Sequence, residues 1–336
     1  MRETMGNAEY MVSICICTYN HVKYIGMMLD SILSQKTTYS YEIIIGDDAS
    51  QDHTQQILTK YARKYRDKIK LILRKKNLGA TRNAYSIINK SRGRYIAILD
   101  GDDYWCDDLK LQCQIEFLEA HPEYSACSHW CTVVNQNNVP IKEKNEQTEN
   151  VFWHYPNEIF NIKDFEKGYY SGQMSSTIFR NFSLNSKVDI SILYKAHPMI
   201  GDRTIQLISV SQGDIYVMHK RMSCYRYIES SSANNWQSKA RQKNLRGEEF
   251  KYICMLEQYA RQELNINLNM EAVKKEKIIC AAIYLLFHKN KQNFKVLCDM
   301  IGCSHERLKY GSLAARAIMI KWYYKNILKC DKPVQL

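Results

Sequence analysis

Over the first hundred residues, short apolar runs alternate with longer segments in which apolar residues recur at helical spacing. The apolar runs predict strands at residues 12–17, 41–46, 69–73 and 95–99. The segments between them predict helices at residues 26–35, 54–65 and 81–90. Strands that alternate with helices in this way indicate an α/β fold, in which helices cover both faces of a mainly parallel sheet.

The rest of the chain changes its pattern twice. A helix is predicted at residues 109–120, then a strand at 125–130, then a polar segment at 135–150 that is the best candidate for a mobile loop. From Asp202 the pattern predicts a helix to Ser211, short strands near Ile215 and at residues 222–227, and long helices to the end. There is no internal repeat and no Gly/Ser linker, so a soft domain boundary is placed near Ser231.

Composition and charge limit the classes of binding partner without selecting one class. The chain of 336 residues has 47 basic and 35 acidic residues, a formal net charge of +12, and therefore favours anionic partners. Nucleic acid, anionic lipid and phosphorylated substrates all remain open at this level. Among the 12 cysteines, Cys127 and Cys131 flank His129, but no second Cys/His pair lies at zinc-site spacing, so we predict ordinary buried thiols.

Two segments bear on cellular location. Residues 1–10 are polar and lack the apolar core of a secretory signal. The longest apolar stretch, residues 278–287, is about half as long as the roughly 20 residues that a membrane-spanning helix needs. We therefore expect a cytoplasmic protein in which this stretch forms a buried helix.

Within the first hundred residues or so, polar residues follow each of the four predicted strands. They are Thr18-Tyr19-Asn20, Asp47-Asp48, Asn77-Leu78-Gly79 and Asp100-Gly101-Asp102-Asp103. Open parallel sheets bind ligands beyond the carboxyl ends of their strands, so these residues should meet in one crevice. Closely spaced carboxylates on a turn can hold a divalent cation that bridges diphosphate oxygens, although most acidic turns are merely solvated.

In order and spacing, these segments resemble the inverting glycosyltransferases of family 2, which have the GT-A fold and are typical of bacterial polysaccharide synthesis. The matching segments are residues 12–20, 31–35, 41–54, 77–83 and 93–103. The resemblance is specific over residues 12–122 and weaker to Tyr227. It implies a mostly parallel, Rossmann-like sheet in a GT-A domain at 1–230, with a donor half at about 11–122 and an acceptor half at about 123–230. A helical C-terminal extension would occupy 231–336.

The resemblance also implies a set of site residues. Thr18, Tyr19 and Asn20 would frame the nucleotide base, and Asp48 would accept a hydrogen bond from it. Arg82 would lie near the base and phosphates, and Asp100 and Gly101 near the ribose and sugar. Asp102, with Asp100, would bind Mn²⁺ or Mg²⁺. The alternatives are that Asp48 caps the following helix, that Arg82 is a surface arginine, and that Asp103 only supports the turn.

The catalytic base of the resembled family lies later in the chain, commonly as the Asp of a Glu-Asp pair. Asp202 matches this position, but Gly201 replaces the glutamate. The alternative is that Asp202 only caps the helix at 203–211. Ser175, Ser176 and Arg180 resemble the acceptor-side strand. The histidine that often follows Tyr-Arg in the family is not found after Tyr225-Arg226.

These observations predict a metal-dependent enzyme that transfers one sugar, with inversion, from a nucleotide diphosphate sugar, expected to be a UDP-sugar. The acceptor would be a hydroxyl of a glycan or lipid-linked glycan in cell-surface polysaccharide synthesis. The Gln-x-x-Arg-Trp motif and spanning helices of processive synthases are absent, which favours single-sugar addition.

Two other classes of function are weighed against this one. A nucleotidyltransferase could also use an acidic turn and a metal, but the chain has no G-x-x-x-x-G-K-[ST] loop. The other is a non-catalytic basic protein that binds nucleic acid or a membrane. We expect no nucleic-acid partner. Lys274, Lys275 and Lys277 precede the apolar stretch and form either a solvated helical face or a peripheral contact with the anionic inner face of a membrane.

Overall fold

A computed structural model describes residues 9–184, 188–228, 245–288, 290–302 and 307–326. The chain forms two compact units. The first comprises Met1–Phe165, Tyr169–Glu229 and Gln262–Ile266, and the second comprises Glu166–Gly168, Ser230–Arg261 and Asn267–Leu336. The predicted boundary near Ser231 lies outside the described residues. The predicted α/β class, with a mostly parallel sheet and a helical C-terminal region, is confirmed.

One sheet runs through the first unit. Its strands are β1 (Tyr10–Thr18), β2 (Tyr41–Asp47), β3 (Ile69–Leu73), β4 (Gly93–Asp100), β5 (Tyr104–Trp105), β6 (Ala126–Val134), β7 (Ile159–Phe160), β8 (Ile178–Arg180) and β9 (Ile215–Arg226). Their order is β3-β2-β1-β4-β8-β6-β9-β5, and β7 pairs with β9. Strands β1 to β4 are parallel to one another, as are β6 and β9. The short strand β8 is antiparallel to both β4 and β6 and joins the two parallel groups.

Helices cover both faces of this sheet, as the sequence predicts. They are α1 (Ile25–Leu33), α2 (Thr54–Lys64), α3 (Ala80–Ile88), α4 (Lys110–Ala120), α5 (Lys142–Asn145), α6 (Ile162–Glu166), α7 (Ile192–Ala196) and α8 (Asp202–Val210). Short 3₁₀ turns lie at Met174–Ser176 and Phe182–Leu184. Helix α1 buries residues spaced by three and four, including Ile25, Met28 and Leu29, in the core formed with β1. On the opposite face α3 packs closely on β2, because a Cβ atom at Gly46 would lie 2.8 Å from Cγ2 of Ile87.

The prediction of two short strands after residue 214 was wrong, since β9 is one continuous strand. Exposed His219 and Lys220 interrupt the apolar alternation in its middle. The His219 ring nevertheless stacks on Trp130 with ring centroids 4.4 Å apart, and pairing with β6 continues across a register shift at this point. The stacked pair therefore supports the polar centre of the strand.

Residues 135–150, predicted as a mobile loop, are folded against β6. Helix α5 lies within this segment, and the Asn145 side chain makes a two-way contact with Val133. Its Oδ1 accepts from the Val133 N–H at 2.8 Å, and its Nδ2 donates to the Val133 carbonyl at 2.9 Å. Arg221 also donates to the Asn145 carbonyl at 2.9 Å, so strand β9 holds the same segment.

A lysine is fully buried at the start of α4. The Nζ atom of Lys110 donates to Oε1 of Gln114 at 2.6 Å and lies 4.3 Å from the centroid of the Trp105 ring. Burial lowers the pKa of Lys110 to about 7. Between about pH 7 and the ordinary lysine pKa of 10.5, Lys110 is therefore mostly neutral in the folded protein but protonated in the unfolded chain.

Replacing Lys110 by methionine should consequently flatten the pH dependence of stability. Where the unfolded state binds the extra proton, the free energy of unfolding rises with pH by up to about 1.4 kcal/mol per pH unit. The Lys110→Met variant should lose this increase between about pH 7 and 10.5. Denaturant titrations at several pH values would measure it. The exposed Lys90→Met variant is the control, and an equal slope in wild type and Lys110→Met would contradict the expected neutral amine.

The second unit is helical where it is described. Its helices are α9 (Arg246–Gln262), α10 (Glu271–Phe287), α11 (Lys291–Gly302) and α12 (Arg307–Asn326). Ile278, Ala281 and Ala282 of α10 are buried in its apolar core, whereas Cys280 and Phe287 are exposed, so the predicted buried helix is buried along one face only. No helix among the described residues has both the length and the apolar character needed to cross a bilayer.

The lysines that precede this apolar stretch have nearby glutamate partners. Lys274 lies 2.9 Å from Glu257, and Lys277 lies 3.0 Å from Glu249. Lys275 lies 3.6 Å from Glu271. The three lysine charges are therefore matched by glutamates within the protein, and the membrane contact at this segment stays a prediction.

Candidate active site

The carboxylate of Asp48, just after β2, holds the loop that leads into α3. Its two oxygens accept hydrogen bonds from the backbone N–H groups of Leu78 at 2.7 Å and Gly79 at 2.9 Å. The Asp48 N–H donates to the Thr18 carbonyl at 2.9 Å, which brings the ends of β1 and β2 together. Asp48 thus binds the turn before α3 and does not cap α2. A carboxylate accepts about four hydrogen bonds, so capacity remains for a ligand.

The turn after β1 is held in a left-handed conformation at Asn20, whose φ is 58°. Oδ1 of Asn20 accepts from the Gln51 N–H at 2.8 Å, and its own N–H donates to Oγ of Ser50 at 2.9 Å. Asp47 in turn accepts from the Ser50 N–H at 3.0 Å. These contacts leave Tyr19, which is partly exposed, at the tip of a braced turn.

Gly101 lets the acidic turn after β4 approach the end of β1. A Cβ atom at this position would lie 2.6 Å from Oγ1 of Thr18 and 2.6 Å from Nδ1 of His21. No larger residue fits without moving these neighbours. The close approach places Oδ2 of Asp102 at 4.0 Å from Nε2 of His21, a neighbour that sequence reasoning missed. Its position directly after the Thr18–Asn20 turn was the available signal.

The side chain of Asp103 connects the acidic turn to the residues that pack against it. Its buried carboxylate accepts from the Arg226 N–H at 2.8 Å and from Nε2 of Gln173 at 2.8 Å. Nε of Arg226 donates to the Asp102 carbonyl at 2.7 Å, and its guanidinium lies 4.1 Å from the centroid of the Tyr24 ring. The Tyr225-Arg226 segment at the end of β9 therefore fixes the shape of the Asp100–Asp103 turn.

Negative charge accumulates where this turn meets the start of α8. Asp100 remains accessible to solvent. Desolvation by the surrounding protein is nevertheless the largest cause that raises the pKa of Asp100 to about 8, and the negative charges of Asp102 and Asp202 raise it further. Burial raises the pKa of Asp202 to about 6. Burial and the four carboxylates of this cluster, including Asp103, raise the pKa of Tyr225 well above its ordinary value, which keeps this phenol neutral.

The oxygens of this cluster fit a divalent cation in their chemistry. Mn²⁺ and Mg²⁺ prefer oxygen ligands, and Mg²⁺ commonly takes one or two carboxylates together with substrate phosphates and water. Within the described ranges no group of three or more His, Cys, Asp or Glu side chains is arranged to hold a metal ion. Asp100 and Asp102 would thus supply the protein's share, and the diphosphate and water the rest.

Asp202 lies at the first residue of α8, and Gly201 occupies the N-cap position. The interpretation of Asp202 as a side-chain cap therefore loses its geometric basis, although a carboxylate in the first turn still interacts favourably with the helix dipole. The loop before α8 is anchored on α3, because Oγ1 of Thr81 donates to the His197 carbonyl at 2.8 Å. Asp202 lies close enough to Asp100 and to Cys17 near the end of β1 for its charge to act on both.

The remaining predicted residues lie apart from the carboxylate cluster or serve the fold. Arg82 is exposed, with its guanidinium 4.8 Å from the centroid of the Tyr194 ring. Ser175 and Ser176 are buried in the turn before β8. Arg180 donates to the Tyr95 hydroxyl at 2.9 Å and to the Leu118 carbonyl at 2.8 Å, and so supports the sheet and α4.

This arrangement of strands and helices is the GT-A fold. The structure of S. aureus TarS 1-349 in complex with UDP-GlcNAc superimposes with a TM-score of 0.61 at 17% identity and covers 94% of this chain and 91% of that one. The model of glycosyl transferase family 2 matches residues 13–185, slightly more than half of the chain. The protein belongs to this family.

Two curated relatives each match somewhat more than a third of the chain. The uncharacterized protein Rv1520 of Mycobacterium tuberculosis is 39% identical over 132 residues, which are 39% of this chain and 38% of that protein. The Escherichia coli enzyme WfaP, named as a UDP-Glc:alpha-D-GlcNAc-diphosphoundecaprenol beta-1,3-glucosyltransferase, is 39% identical over 120 residues. Those residues are 36% of this chain and 46% of WfaP. The match therefore spans less than half the length of either relative.

Proposed function

We propose that this protein transfers a single sugar from a UDP-sugar to a hydroxyl of a glycan or lipid-linked glycan, with inversion, in cell-surface polysaccharide synthesis. The observation that carries the proposal is the proximity of Asp100, Asp102 and Asp202 at the carboxyl ends of β1 and β4, where the charges of Asp102 and Asp202 act on Asp100. Two of these residues belong to one acidic turn, and the third arrives on α8 with a raised pKa.

The donor would bind along the ends of β1 and β2. Tyr19 offers an aromatic face for a base, and Thr18 and Asn20 fix its turn. Asp48 has acceptor capacity left for the base edge. Arg82 lies one helical turn from the loop that Asp48 holds, and its exposed guanidinium can reach toward phosphates. The UDP-GlcNAc complex of TarS and the UDP-Glc in the name of WfaP support a uridine donor.

Asp102 and Asp100 would hold Mn²⁺ or Mg²⁺ against the donor diphosphate. When bound, the ion stabilises the negative charge that develops on the leaving phosphate oxygen. The chain's own part is to fix the acidic turn, which Arg226 and Gln173 do through Asp103. Desolvation, followed by the neighbouring charges of Asp102 and Asp202, raises the pKa of Asp100, and a bound cation would favour its ionised form.

Asp202 would take the proton from the acceptor hydroxyl. A carboxyl group with a pKa of about 6 is mostly ionised at neutral pH and is a stronger base than an ordinary aspartate. Attack from the face opposite the diphosphate inverts the anomeric carbon in one displacement. The lipid-linked acceptor in the name of WfaP supports the acceptor class.

Product analysis tests the proposal directly. The protein is incubated with Mn²⁺, a panel of UDP-sugars and glycan acceptors, and the released nucleotide is identified. We expect UDP, an acceptor heavier by one sugar, and an inverted anomeric configuration by NMR. Release of sugar 1-phosphate, which uridylyl transfer from a UDP-sugar would leave, would instead show a nucleotidyltransferase, and a ladder of products would contradict single-sugar transfer.

A further inference from the structure

The net positive charge of the chain is concentrated on helix α2, strand β3 and the turns that follow them. Residues 54–76 contain nine basic residues and one acidic residue, Asp67, and so carry eight of the twelve net charges. We call this surface the basic edge. It consists of Lys60, Arg63, Lys64, Arg66, Lys68, Lys70, Arg74, Lys75 and Lys76. Strand β3 is the outermost strand on this side of the sheet.

The basic edge is not neutralised by the protein. All of its residues are exposed except Arg74, which is partly buried and bonds to Asn83 and Ser86. Among the described residues, no carboxylate lies within the 4.0 Å ion-pair distance of any of the nine. This differs from Lys274, Lys275 and Lys277, each of which has a glutamate partner. Free charge of one sign on one face favours an anionic partner.

The shape of the basic edge indicates a broad partner. Its charges lie on the C-terminal half of α2, on the turns at each end of β3 and at Lys70 within that strand, and an open surface depression of about 720 Å³ lies between α2 and Leu73. Lys60, Arg63 and Lys64 line this depression with Leu73, whose side chain is exposed at its margin. An apolar side chain among cations suits the boundary between headgroups and acyl chains, whereas a soluble polyanion offers it no apolar contact.

We infer that the basic edge binds the surface of an anionic phospholipid bilayer. Clusters of four to eight basic residues are typical of such binding. Lys75 and Lys76 run directly into the loop at Leu78 and Gly79 that Asp48 holds, so the bilayer would lie beside the donor site. A lipid-linked acceptor would then be presented by the same surface, and only this last step rests on the proposed function.

Vesicle sedimentation tests the inference with the full chain. Vesicles of equal parts phosphatidylglycerol and phosphatidylcholine are compared with pure phosphatidylcholine, without donor or acceptor. Wild type should bind the anionic vesicles and be released by salt. The triple variant Lys60→Gln, Arg63→Gln and Lys64→Gln should partition on the order of 100-fold more weakly. These residues are exposed, so its melting temperature should be unchanged.

A matched control removes the same charge elsewhere. Lys90, Lys142 and Lys220 are exposed and lie outside the basic edge, and replacing all three by glutamine should leave partitioning within about twofold. An equal loss in both variants, equal binding of neutral vesicles, or unchanged binding by the edge variant would overturn the inference. So would binding of inorganic polyphosphate without binding of vesicles. Sugar transfer to a soluble acceptor should survive in the edge variant, which separates this test from the test of the activity.

Discussion

Replacing Asp202 by asparagine is expected to lower the rate of sugar transfer by roughly 10²-fold or more, the usual scale for loss of a general base. Asparagine keeps the size of the side chain and removes its basicity. Donor affinity should change little, because the donor residues lie at the ends of β1, β2 and β4. Single-turnover transfer at saturating donor, with donor binding measured by calorimetry, separates the two effects.

The pH profile adds an independent signature of this base. With a pKa of about 6 for Asp202, the wild-type rate should rise with pH through about 6 and then level off, because the ionised form is active. Asp214→Asn removes an exposed aspartate outside the cluster and serves as the control. Near-normal transfer by Asp202→Asn would reject the assignment and leave Asp202 with only its favourable position in the first turn of α8.

Replacing Asp102 by asparagine should abolish the response to divalent cation. The variant loses one of the two carboxylates proposed to hold the ion, and stabilisation of the leaving diphosphate by a metal is worth several kcal/mol. We therefore expect transfer at saturating Mn²⁺ to fall by roughly 10²- to 10³-fold. Titration of Mn²⁺ into the protein with UDP should show weaker binding.

A control for charge alone is available close by in the sequence. Asp108 forms a surface ion pair with Lys36 at 2.6 Å, and Asp108→Asn removes the same charge outside the crevice. This variant should keep the wild-type response to Mn²⁺. If Asp102→Asn retained full activity in chelator-treated buffer, the metal role of the acidic turn would be refuted.

The local sequence pattern was sufficient to predict the strands and helices of the N-terminal half of the sheet. Strands β1, β2 and β4 are buried on both faces and are bounded by polar turns, so their apolar runs are unambiguous. The edge strand β3 is only partly buried, but its apolar residues still indicate a strand. The pattern failed to predict a continuous strand where contacts with other elements stabilise polar residues in its middle. Strand β9 continues through His219 and Lys220 because Trp130 stacks on the His219 ring, a contact with a residue on another strand. The three residues of β8 are too few to give a period.

For the candidate site, the sequence predicted where the acidic residues lie, but not which residues hold them in place. The Asp100–Asp102 turn follows an apolar strand, which is a local signal. Its fixation by Arg226 depends on a hydrogen bond to a residue 123 positions away. Lys110 begins a helix that looks ordinary in sequence, and only the fold, which packs its amine against the Trp105 ring, shows that it is buried. Pairing of Lys274 with Glu257 likewise joins two helices.

Strand β8 has a consequence for synthesis of the chain. It is the partner of β4 in the sheet, yet β4 ends at Asp100 and β8 begins at Ile178. At about 5 to 20 residues per second, the ribosome needs roughly 4 to 16 s to make the intervening chain. During that time the edge of β4 has unpaired backbone groups, which are a template for pairing with another chain. A nascent chain arrested in this interval therefore has an open strand edge that the complete protein covers.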